Sequence, residues 1–235
     1  MPVYRIAGID VEYEGVYDML IERSKKYLAD KSAKPQFSIK TNPDIIEALR
    51  KQYPEADEAE YEYTDIGTSF HREILNYNGI MLHASAVAVD GYAYLFSAPS
   101  GMGKSTHTRM WQKLLGEDNA VIINDDKPVI RKINGEYFVF GTPFSGKYDI
   151  SVNDSFPLKG ICFVLRSEEN KIEKLSTKCA VTPFLNQTVR PNSTEDYIKM
   201  LNIVDELLNS VPCYSLRCKA DVDAAKTAYD AMKGE

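Results

Sequence analysis

A glycine-rich segment, Ser97–Thr106, constrains the fold of this chain more than any other feature of the sequence. It reads Ser-Ala-Pro-Ser-Gly-Met-Gly-Lys-Ser-Thr and lies between a β-rich run and a helical run. Glycine adopts backbone conformations that a Cβ would resist, so such a turn can wrap closely around a ligand. The N–H groups of the turn and of the helix start attract an anion, as does the helix dipole. The order of strand, loop and helix therefore predicts an α/β fold with a phosphate-binding site at this loop.

Several residues of the segment have predictable roles in binding a nucleoside triphosphate. Lys104 would reach the β- and γ-phosphates, and the Ser105 hydroxyl would ligate Mg²⁺. The other predicted contacts are Ser100, Gly101, Met102, Gly103 and Thr106. ATP and Mg²⁺ are thus the expected cofactors. Ala98 stands in place of the first glycine of the full motif, so a glycine-rich turn that binds no ligand is the alternative.

Two turn signals, Asp90-Gly91 and Asn134-Gly135, predict hairpins on either side of this segment. The strands expected from β-rich runs are Ile80–Val89, Tyr92–Phe96, Ala120–Ile123, Val129–Ile133, Tyr137–Phe140, Lys159–Leu165 and Cys213–Arg217. The helices expected from apolar spacing are Lys104–Leu115, Lys178–Leu185, Thr194–Asn209 and Asp221–Met232. The predicted fold class is therefore α/β, with a P-loop-containing mixed sheet of hairpins flanked by helices.

The sequence before this sheet contains mostly helical patterns and few β-rich runs, which predicts a small N-terminal α+β region at residues 1–78. The elements expected there are a strand at Tyr4–Tyr13 and helices at Gly15–Ala29, around Ile45–Leu49 and at Ile66–Tyr77. The acidic stretch Glu55–Glu62 is predicted to be a surface connection. Because Asn78-Gly79 is a helix stop signal, the nucleotide-binding catalytic domain is expected to occupy residues 79–235.

Composition excludes several classes of protein. The net charge is −6 and no block of Lys and Arg stands out, so nucleic acid is not an expected partner. No apolar run approaches the roughly 20 residues of a membrane span, and the N-terminus lacks the features of a signal peptide. The four cysteines include no C-x-x-C pair and are read as reduced thiols. These observations predict a cytoplasmic protein that is not bound to a membrane.

Two further features narrow the class of nucleotide-binding protein. Asp125-Asp126 ends a β-rich run that follows the loop, where one carboxylate can hold Mg²⁺ and the other can accept a proton from a hydroxyl. The alternative for such a pair is an ordinary turn. His83 lies at the start of the run that pairs, through the Asp90-Gly91 turn, with the strand leading into the loop. This pairing predicts that His83 is close to the γ-phosphate, whereas the alternative is a structural histidine.

With these pieces in order, the chain resembles the HPr kinase/phosphorylase catalytic domain. Its nucleotide core is also similar to that of ATP-dependent phosphoenolpyruvate carboxykinase. The resemblance is carried by His83-Ala84-Ser85-Ala86, Ser100-Gly101-Met102-Gly103-Lys104-Ser105 and Asn124-Asp125-Asp126. It is strongest to a group of small HPr-kinase-like proteins, some of which are encoded beside peptide-modification genes and share a segment like Gly141–Lys147. The resemblance extends from about Ile80 to the C-terminus.

The resemblance implies a role for each matching residue. Lys104 and Ser105 would hold phosphate and Mg²⁺, and His83 would contact the metal or the transferring phosphate. One of Asp125 and Asp126 would be the general base, and the other a metal ligand. Lys147 would neutralise phosphate charge, although an exposed loop lysine without a role is equally common. The catalytic residues expected from the resemblance are Asp125, Asp126, His83 and Lys104, and the metal ligands are Ser105, Asp126 and Asp125.

The implied activity is ATP- and Mg²⁺-dependent transfer of the γ-phosphate to a hydroxyl, namely a serine of a peptide or small protein. The glycine-rich segment that follows the acidic pair in the bifunctional HPr enzyme has no counterpart here, which argues against HPr as the substrate and against phosphorylase activity. The chain is also too short for a carboxykinase. Two other functions stay open, a non-catalytic nucleotide-binding or sensing module and a small-molecule kinase on the same core. By analogy with related enzymes, a homo-oligomer is expected.

Overall fold

The computed structural model describes residues 1–234. Its strands are β1 (Val3–Ile6), β2 (Ile9–Glu12), β3 (Phe37–Ser38), β4 (Gly79–Met81), β5 (Ala84–Val89), β6 (Tyr92–Ser97), β7 (Ala120–Asn124), β8 (Val129–Ile133), β9 (Glu136–Phe140), β10 (Ser155–Arg166), β11 (Lys171–Leu175) and β12 (Cys213–Cys218). Its α-helices are α1 (Asp18–Ser24), α2 (Pro43–Gln52), α3 (Glu58–Glu73), α4 (Lys104–Leu115), α5 (Thr177–Leu185), α6 (Thr194–Ser210) and α7 (Val222–Met232). Short 3-10 helices at Lys25–Tyr27 and Ile74–Tyr77 extend α1 and α3.

The larger of two sheets is mixed and is organised around β10. Its strand order is β4-β8-β9-β10-β6-β5-β7, and β12 also pairs with β10 and carries β11 on its other edge. The beginning of β10 pairs antiparallel with β9, and the rest of β10 pairs parallel with β6 and β12. Because β6, β10 and β12 are parallel, their carboxyl ends meet at the same edge of the sheet. The glycine-rich segment begins at that edge, directly after β6.

Helices cover both faces of this sheet, and successive side chains along the central strands point alternately into the core on one face and into the core on the other. Along β5, Ala86 and Ala88 face α5 and α6, whereas Val87 and Val89 face α4 and α7. Strands β6 and β10 alternate in the same way between the two cores. Since successive strand side chains point to opposite faces, a strand buried on both faces reads as an almost continuous apolar run. This burial explains why these strands were recognisable from their apolar runs.

The smaller sheet belongs to the N-terminal region. Strands β1 and β2 form an antiparallel hairpin, and the short β3 pairs parallel with β2. This sheet packs with α1 and α3 around aromatic and aliphatic side chains that include Tyr13, Leu20 and Phe70. Val129 and Phe144, from later in the chain, complete the same core. The N-terminal region therefore packs directly against the segment that follows β9, while the domain boundary at 78/79 stays a prediction.

Two sequence predictions in the N-terminal region are wrong. The single strand expected at Tyr4–Tyr13 is a hairpin, because Ala7 and Gly8 turn the chain with positive φ angles of 51° and 73°. The surface connection expected at Glu55–Glu62 is wrong from Glu58 onward, where α3 begins, and only residues 55–57 belong to the connection between α2 and α3. A capping box causes this start, since Asp57 accepts from the Glu60 amide and the Glu60 carboxylate accepts from the Asp57 amide.

The run Ile80–Val89, expected to be one strand, is divided at Leu82 and His83. Its first part, β4, pairs with β8, whereas β5 pairs with β6 and β7. His83 therefore lies at the junction between two parts of the sheet. Strand β11 was not predicted, because Lys171–Leu175 carries charged residues and is covered only along its edge with β12.

Most other predictions for the larger sheet are confirmed. Helix α4 has the expected bounds, and the hairpins form at Asp90-Gly91 and Asn134-Gly135, where all four residues have positive φ. The mixed α/β class with hairpins and flanking helices is confirmed, while phosphate binding by the loop stays a prediction. Among residues 1–234, no helix combines the length and the apolar character that crossing a membrane requires.

Candidate functional site

The glycine-rich segment forms an open loop between β6 and α4. Gly101 and Gly103 have φ angles of 75° and 104°, in the left-handed region that glycine adopts without strain. Gly103 is the N-cap of α4, and it provides no side chain to accept from the first helical amides. In the described part of the chain, the N–H groups of Lys104, Ser105 and Thr106 have no protein acceptor. Their partial positive charges therefore point toward the space in front of the loop.

Lys104 is the positive charge at the bottom of this space. Its side chain is buried, and Nζ donates to the Ala98 carbonyl at 3.1 Å and lies 2.9 Å from Nε2 of His83. Burial lowers the pKa of Lys104, while the nearby Asp126 carboxylate acts in the opposite direction. A buried ammonium of this kind is stabilised by an anion that comes close to it.

His83 is held from two sides by Gln187, a residue that follows α5. The His83 amide donates to the Gln187 carbonyl at 2.7 Å, and Nδ1 lies 2.9 Å from Gln187 Oε1. With that oxygen as the acceptor, Nδ1 carries a proton. In the neutral ring Nε2 then accepts from Lys104, and in the protonated ring it donates to Asp126 Oδ1 at 3.0 Å. Nε2 therefore lies within hydrogen-bond distance of both the lysine and the carboxylate.

The acidic pair at the end of β7 is electrostatically asymmetric. Burial raises the pKa of Asp125, and a hydrogen bond from the Gly146 amide to Oδ1, at 2.6 Å, opposes this rise. Burial also raises the pKa of Asp126, but the His83 hydrogen bond and the Lys127 ammonium, 3.1 Å from Oδ2, outweigh it. The pKa of Asp126 consequently lies well below its usual range. Environments that separate two pKa values in this way are typical of carboxylates with different tasks.

These groups line one cleft of about 280 Å³. The residues around it are His83, Ser100, Gly101, Gly103, Lys104, Ser105, Thr106, Asp125, Asp126, Gly146, Lys147, Tyr148 and Arg166. The structure thus brings together all the predicted site residues except Met102, which lines the adjoining cleft described below. Lys147 is exposed at the rim, and its ammonium has no partner within residues 1–234.

Three residues at this site were missed by sequence reasoning. Arg166 ends β10, and its guanidinium donates to the Gly101 carbonyl. Its place at the site depends on the parallel pairing of β10 with β6, which brings the carboxyl ends of both strands to one edge of the sheet, and the sequence carries no signal for that pairing. Tyr148 lies under the Arg109 guanidinium, with 4.5 Å between its ring centre and Cζ. Gln187 carries no spacing or motif that indicates contact with a histidine so distant in sequence.

A second cleft, of about 500 Å³, adjoins the first and shares Gly103, Thr106 and Arg166 with it. Its other lining residues are Met102, His107, Val164, Ser167, Glu168, Cys218, Lys219 and Ala220. The two clefts meet at the glycine-rich loop. The apolar part of the second cleft comes from Met102, Val164 and Cys218.

The donor set suits a divalent cation only in part. In the described part of the chain, no group of three or more His, Cys, Asp and Glu side chains could hold a metal ion by itself. The Ser105 hydroxyl, however, lies beside the acidic pair and donates to the Asp125 carbonyl at 3.2 Å. A hydroxyl and an ionised carboxylate are oxygen ligands that Mg²⁺ accepts when phosphates complete its shell. The residues present therefore fit a cation that arrives with a nucleotide.

Comparison with known proteins gives a matching family model and distant likenesses to solved structures. A family model described as "SynChlorMet cassette protein ScmC" matches residues 61–223. Among solved structures, the HPr(Ser) kinase/phosphatase from Coxiella burnetii is similar, with 11% sequence identity and a TM-score of 0.38. That alignment covers 66% of this chain and 99% of the other. The comparison with curated proteins found no match.

Proposed function

The chain belongs to the ScmC family of SynChlorMet cassette proteins, and we propose that it is an ATP- and Mg²⁺-dependent kinase. It transfers the γ-phosphate of ATP to a hydroxyl group. One observation carries the proposal: His83, Lys104 and the asymmetric acidic pair converge in a single cleft beneath the unpaired amides of the glycine-rich loop. A turn without a ligand needs neither a buried lysine nor two carboxylates in different environments.

Phosphate binding is assigned to the loop and to two cations. In the proposal, the free N–H groups at the start of α4 donate to phosphate oxygens, and the Lys104 ammonium, which lines the same cleft, adds a positive charge. Arg166, already held at the Gly101 carbonyl, adds a second positive charge at the rim. Lys147, an exposed residue that lines the same cleft, is the proposed partner of the charge that develops on the transferred group. Phosphoryl transfer is catalysed mainly by positioning and by neutralising charge of this kind.

Ser105 and Asp126 are the proposed ligands of Mg²⁺. The low pKa of Asp126 keeps this carboxylate ionised, as a cation ligand must be. Ser105 and Asp126 would hold the ion beside the phosphates, where its charge would offset theirs. His83 orients Asp126 through its hydrogen bond to Oδ1 and is itself fixed by Gln187.

Asp125 is the proposed general base. Because burial raises its pKa, Asp125 is the stronger proton acceptor of the two carboxylates. In the proposed step, the acceptor oxygen forms a bond to the γ-phosphorus, its proton passes to Asp125, and the bond from the γ-phosphorus to the β,γ-bridging oxygen breaks. ADP leaves with the electron pair of that bond. The second cleft, with the apolar side chains of Met102 and Val164, is the proposed site of the nucleotide base.

The proposed acceptor is a serine of a peptide or small protein, as the resemblance to small HPr-kinase-like proteins implies. A small-molecule kinase and a nucleotide-binding module without catalysis are the competing functions. Free serine, serine-containing peptides and metabolite hydroxyls, offered side by side with labelled ATP and Mg²⁺, separate the first two. Binding of ATP with no transfer to any of these probes favours the module.

The first prediction concerns Asp125→Asn, which keeps the shape of the side chain but removes the base. Phosphoryl transfer to the acceptor found in that screen falls by about a hundredfold or more, the usual contribution of a general base. Asp118→Asn, at an exposed position after α4, is the matched control and leaves the rate unchanged. Equal rates for wild-type protein and Asp125→Asn would show that the assigned mechanism is wrong.

A further inference from the structure

We infer that Tyr63, a residue of the N-terminal region, is a positioning residue for both carboxylates of the acidic pair. It acts through the peptide bond between Ser145 and Gly146 and through the Lys127 ammonium. The inference rests on the proposed function, in which Asp125 and Asp126 are the base and a cation ligand. No motif in the sequence indicates this role, because Tyr63 lies on α3, outside the segments that carry the resemblance.

The first connection passes through one peptide group. The Tyr63 hydroxyl donates to the Ser145 carbonyl at 2.6 Å, and the Arg23 guanidinium donates to the same oxygen at 3.0 Å. The N–H on the other side of this peptide bond belongs to Gly146, and it donates to Asp125 Oδ1 at 2.6 Å. Because the peptide group is planar, fixing the direction of its carbonyl also fixes the direction of its N–H. Tyr63 and Arg23 thereby set the position of the Asp125 carboxylate.

The second connection passes through the face of the Tyr63 ring. The Lys127 ammonium lies 5.1 Å from the ring centre, and the Arg23 guanidinium lies 4.9 Å from it. A cation is attracted to an aromatic face at such distances. Lys127 in turn contacts Asp126 Oδ2 at 3.1 Å. The same tyrosine therefore orients one partner of each carboxylate.

Packing keeps Tyr63 in this place. It is buried, and its ring packs against Phe144, with 5.8 Å between the ring centres. One turn further along α3, Gly67 has no side chain, and a Cβ there would lie 2.9 Å from the Phe144 ring. Helix α3 and the segment before Gly146 thus fit closely. Burial raises the pKa of Tyr63, so its hydroxyl stays protonated and continues to donate.

A purely structural tyrosine in the same core would differ from Tyr63 in its contacts. Tyr13 provides that comparison, since its ring is also buried in the N-terminal core. Among residues 1–234, its hydroxyl hydrogen-bonds only to the Ser24 hydroxyl, at 2.7 Å, within the N-terminal region. Replacing either tyrosine by phenylalanine removes one buried hydroxyl. Only Tyr63→Phe removes a hydrogen bond to the Ser145–Gly146 peptide group, which contacts Asp125. Tyr13→Phe is therefore the matched control.

The test, and our second prediction, compares the wild-type protein with Tyr63→Phe and Tyr13→Phe. Amide hydrogen exchange is measured by NMR on the nucleotide-free protein, where Gly146 exchanges about fivefold faster in Tyr63→Phe, as expected for one lost hydrogen bond. Tyr13→Phe leaves the Gly146 exchange rate unchanged. With Mg²⁺-ATP and the acceptor from the screen, Tyr63→Phe lowers kcat by about tenfold. The Kd for Mg²⁺-ATP stays the same, because phenylalanine keeps the ring face that Lys127 contacts and the loop amides are not altered.

The inference is overturned if Gly146 exchanges at the same rate in both variants, or if an active wild-type enzyme has an unchanged kcat in Tyr63→Phe. A further readout is the double variant with Asp125→Asn, in which Tyr63→Phe causes no additional loss of transfer. If the losses of transfer rate in Tyr63→Phe and Asp125→Asn simply add in the double variant, Tyr63 does not act through Asp125. If the wild-type protein transfers no phosphate, the proposed kinase function fails, and the exchange rate of Gly146 still decides whether Tyr63 controls the peptide group that contacts Asp125.

Discussion

At the scale of single residues, the site is defined by how its charges are distributed. Lys104 and Asp125 are buried, Asp126 is partly exposed, and each of the three has a specific partner. Their identities followed from the sequence, because loop, lysine and acidic pair are close in the chain to elements with strong local signals. Gln187 and Arg166 could not be found in this way, since their contacts depend on the pairing of distant strands.

The third prediction concerns Lys104→Met, which keeps the length of the side chain and removes its charge. Affinity for Mg²⁺-ATP falls by about tenfold to a hundredfold, the loss expected for hydrogen bonds to a charged group. Lys113→Met, on the exposed side of the same helix, is the control and leaves the affinity unchanged. Isothermal titration calorimetry measures both. An equal affinity in the two variants would mean that Lys104 does not contact phosphate.

At the scale of elements, local signals decided which predictions succeeded. Helix α4 and the hairpins were predictable because glycine turns and apolar spacing lie within the elements themselves. The start of α3 was not predicted, because the acidic composition of Glu55–Glu62 indicated an exposed connection and the capping residues Asp57 and Glu60 are themselves part of that acidic stretch. The break at His83 was missed because only the separate pairings of β4 and β5 divide that apolar run. Such pairings depend on residues far away in the sequence.

The fourth prediction concerns Gly67→Ala, in the middle of α3. Alanine normally stabilises a helix interior relative to glycine by about 1 kcal/mol. Here its Cβ would lie 2.9 Å from the buried Phe144 ring, and overpacking of this kind costs about 1–3 kcal/mol. We therefore expect urea unfolding to give a lower free energy of unfolding for Gly67→Ala, by about 1 kcal/mol. Thr64→Ala, at an exposed position of the same helix, does not lower it. A higher free energy of unfolding for Gly67→Ala would show that there is room for a Cβ between α3 and the Phe144 ring.

At the scale of the whole molecule, the site is assembled from parts that are far apart in sequence. The N-terminal region contributes Tyr63 and Arg23 behind the acidic pair, and the segment after α5 contributes Gln187 behind His83. The mixed α/β class was predictable from composition and periodicity. The parallel pairing of β10 with β6 and β12 was not, because the intervening segments carry no signal for which strands they bring together.

The most direct test of the central claim, and the fifth prediction, is a crystal structure with a non-hydrolysable ATP analogue and Mg²⁺. We expect a triphosphate along the loop amides, with the γ-phosphate within about 4 Å of Lys104 Nζ and His83 Nε2, the range of hydrogen bonds and metal bridging. Asp125 would lie on the side from which an acceptor hydroxyl approaches. A nucleotide bound elsewhere, or a triphosphate directed away from the acidic pair, would show that this cleft is not the site of phosphoryl transfer.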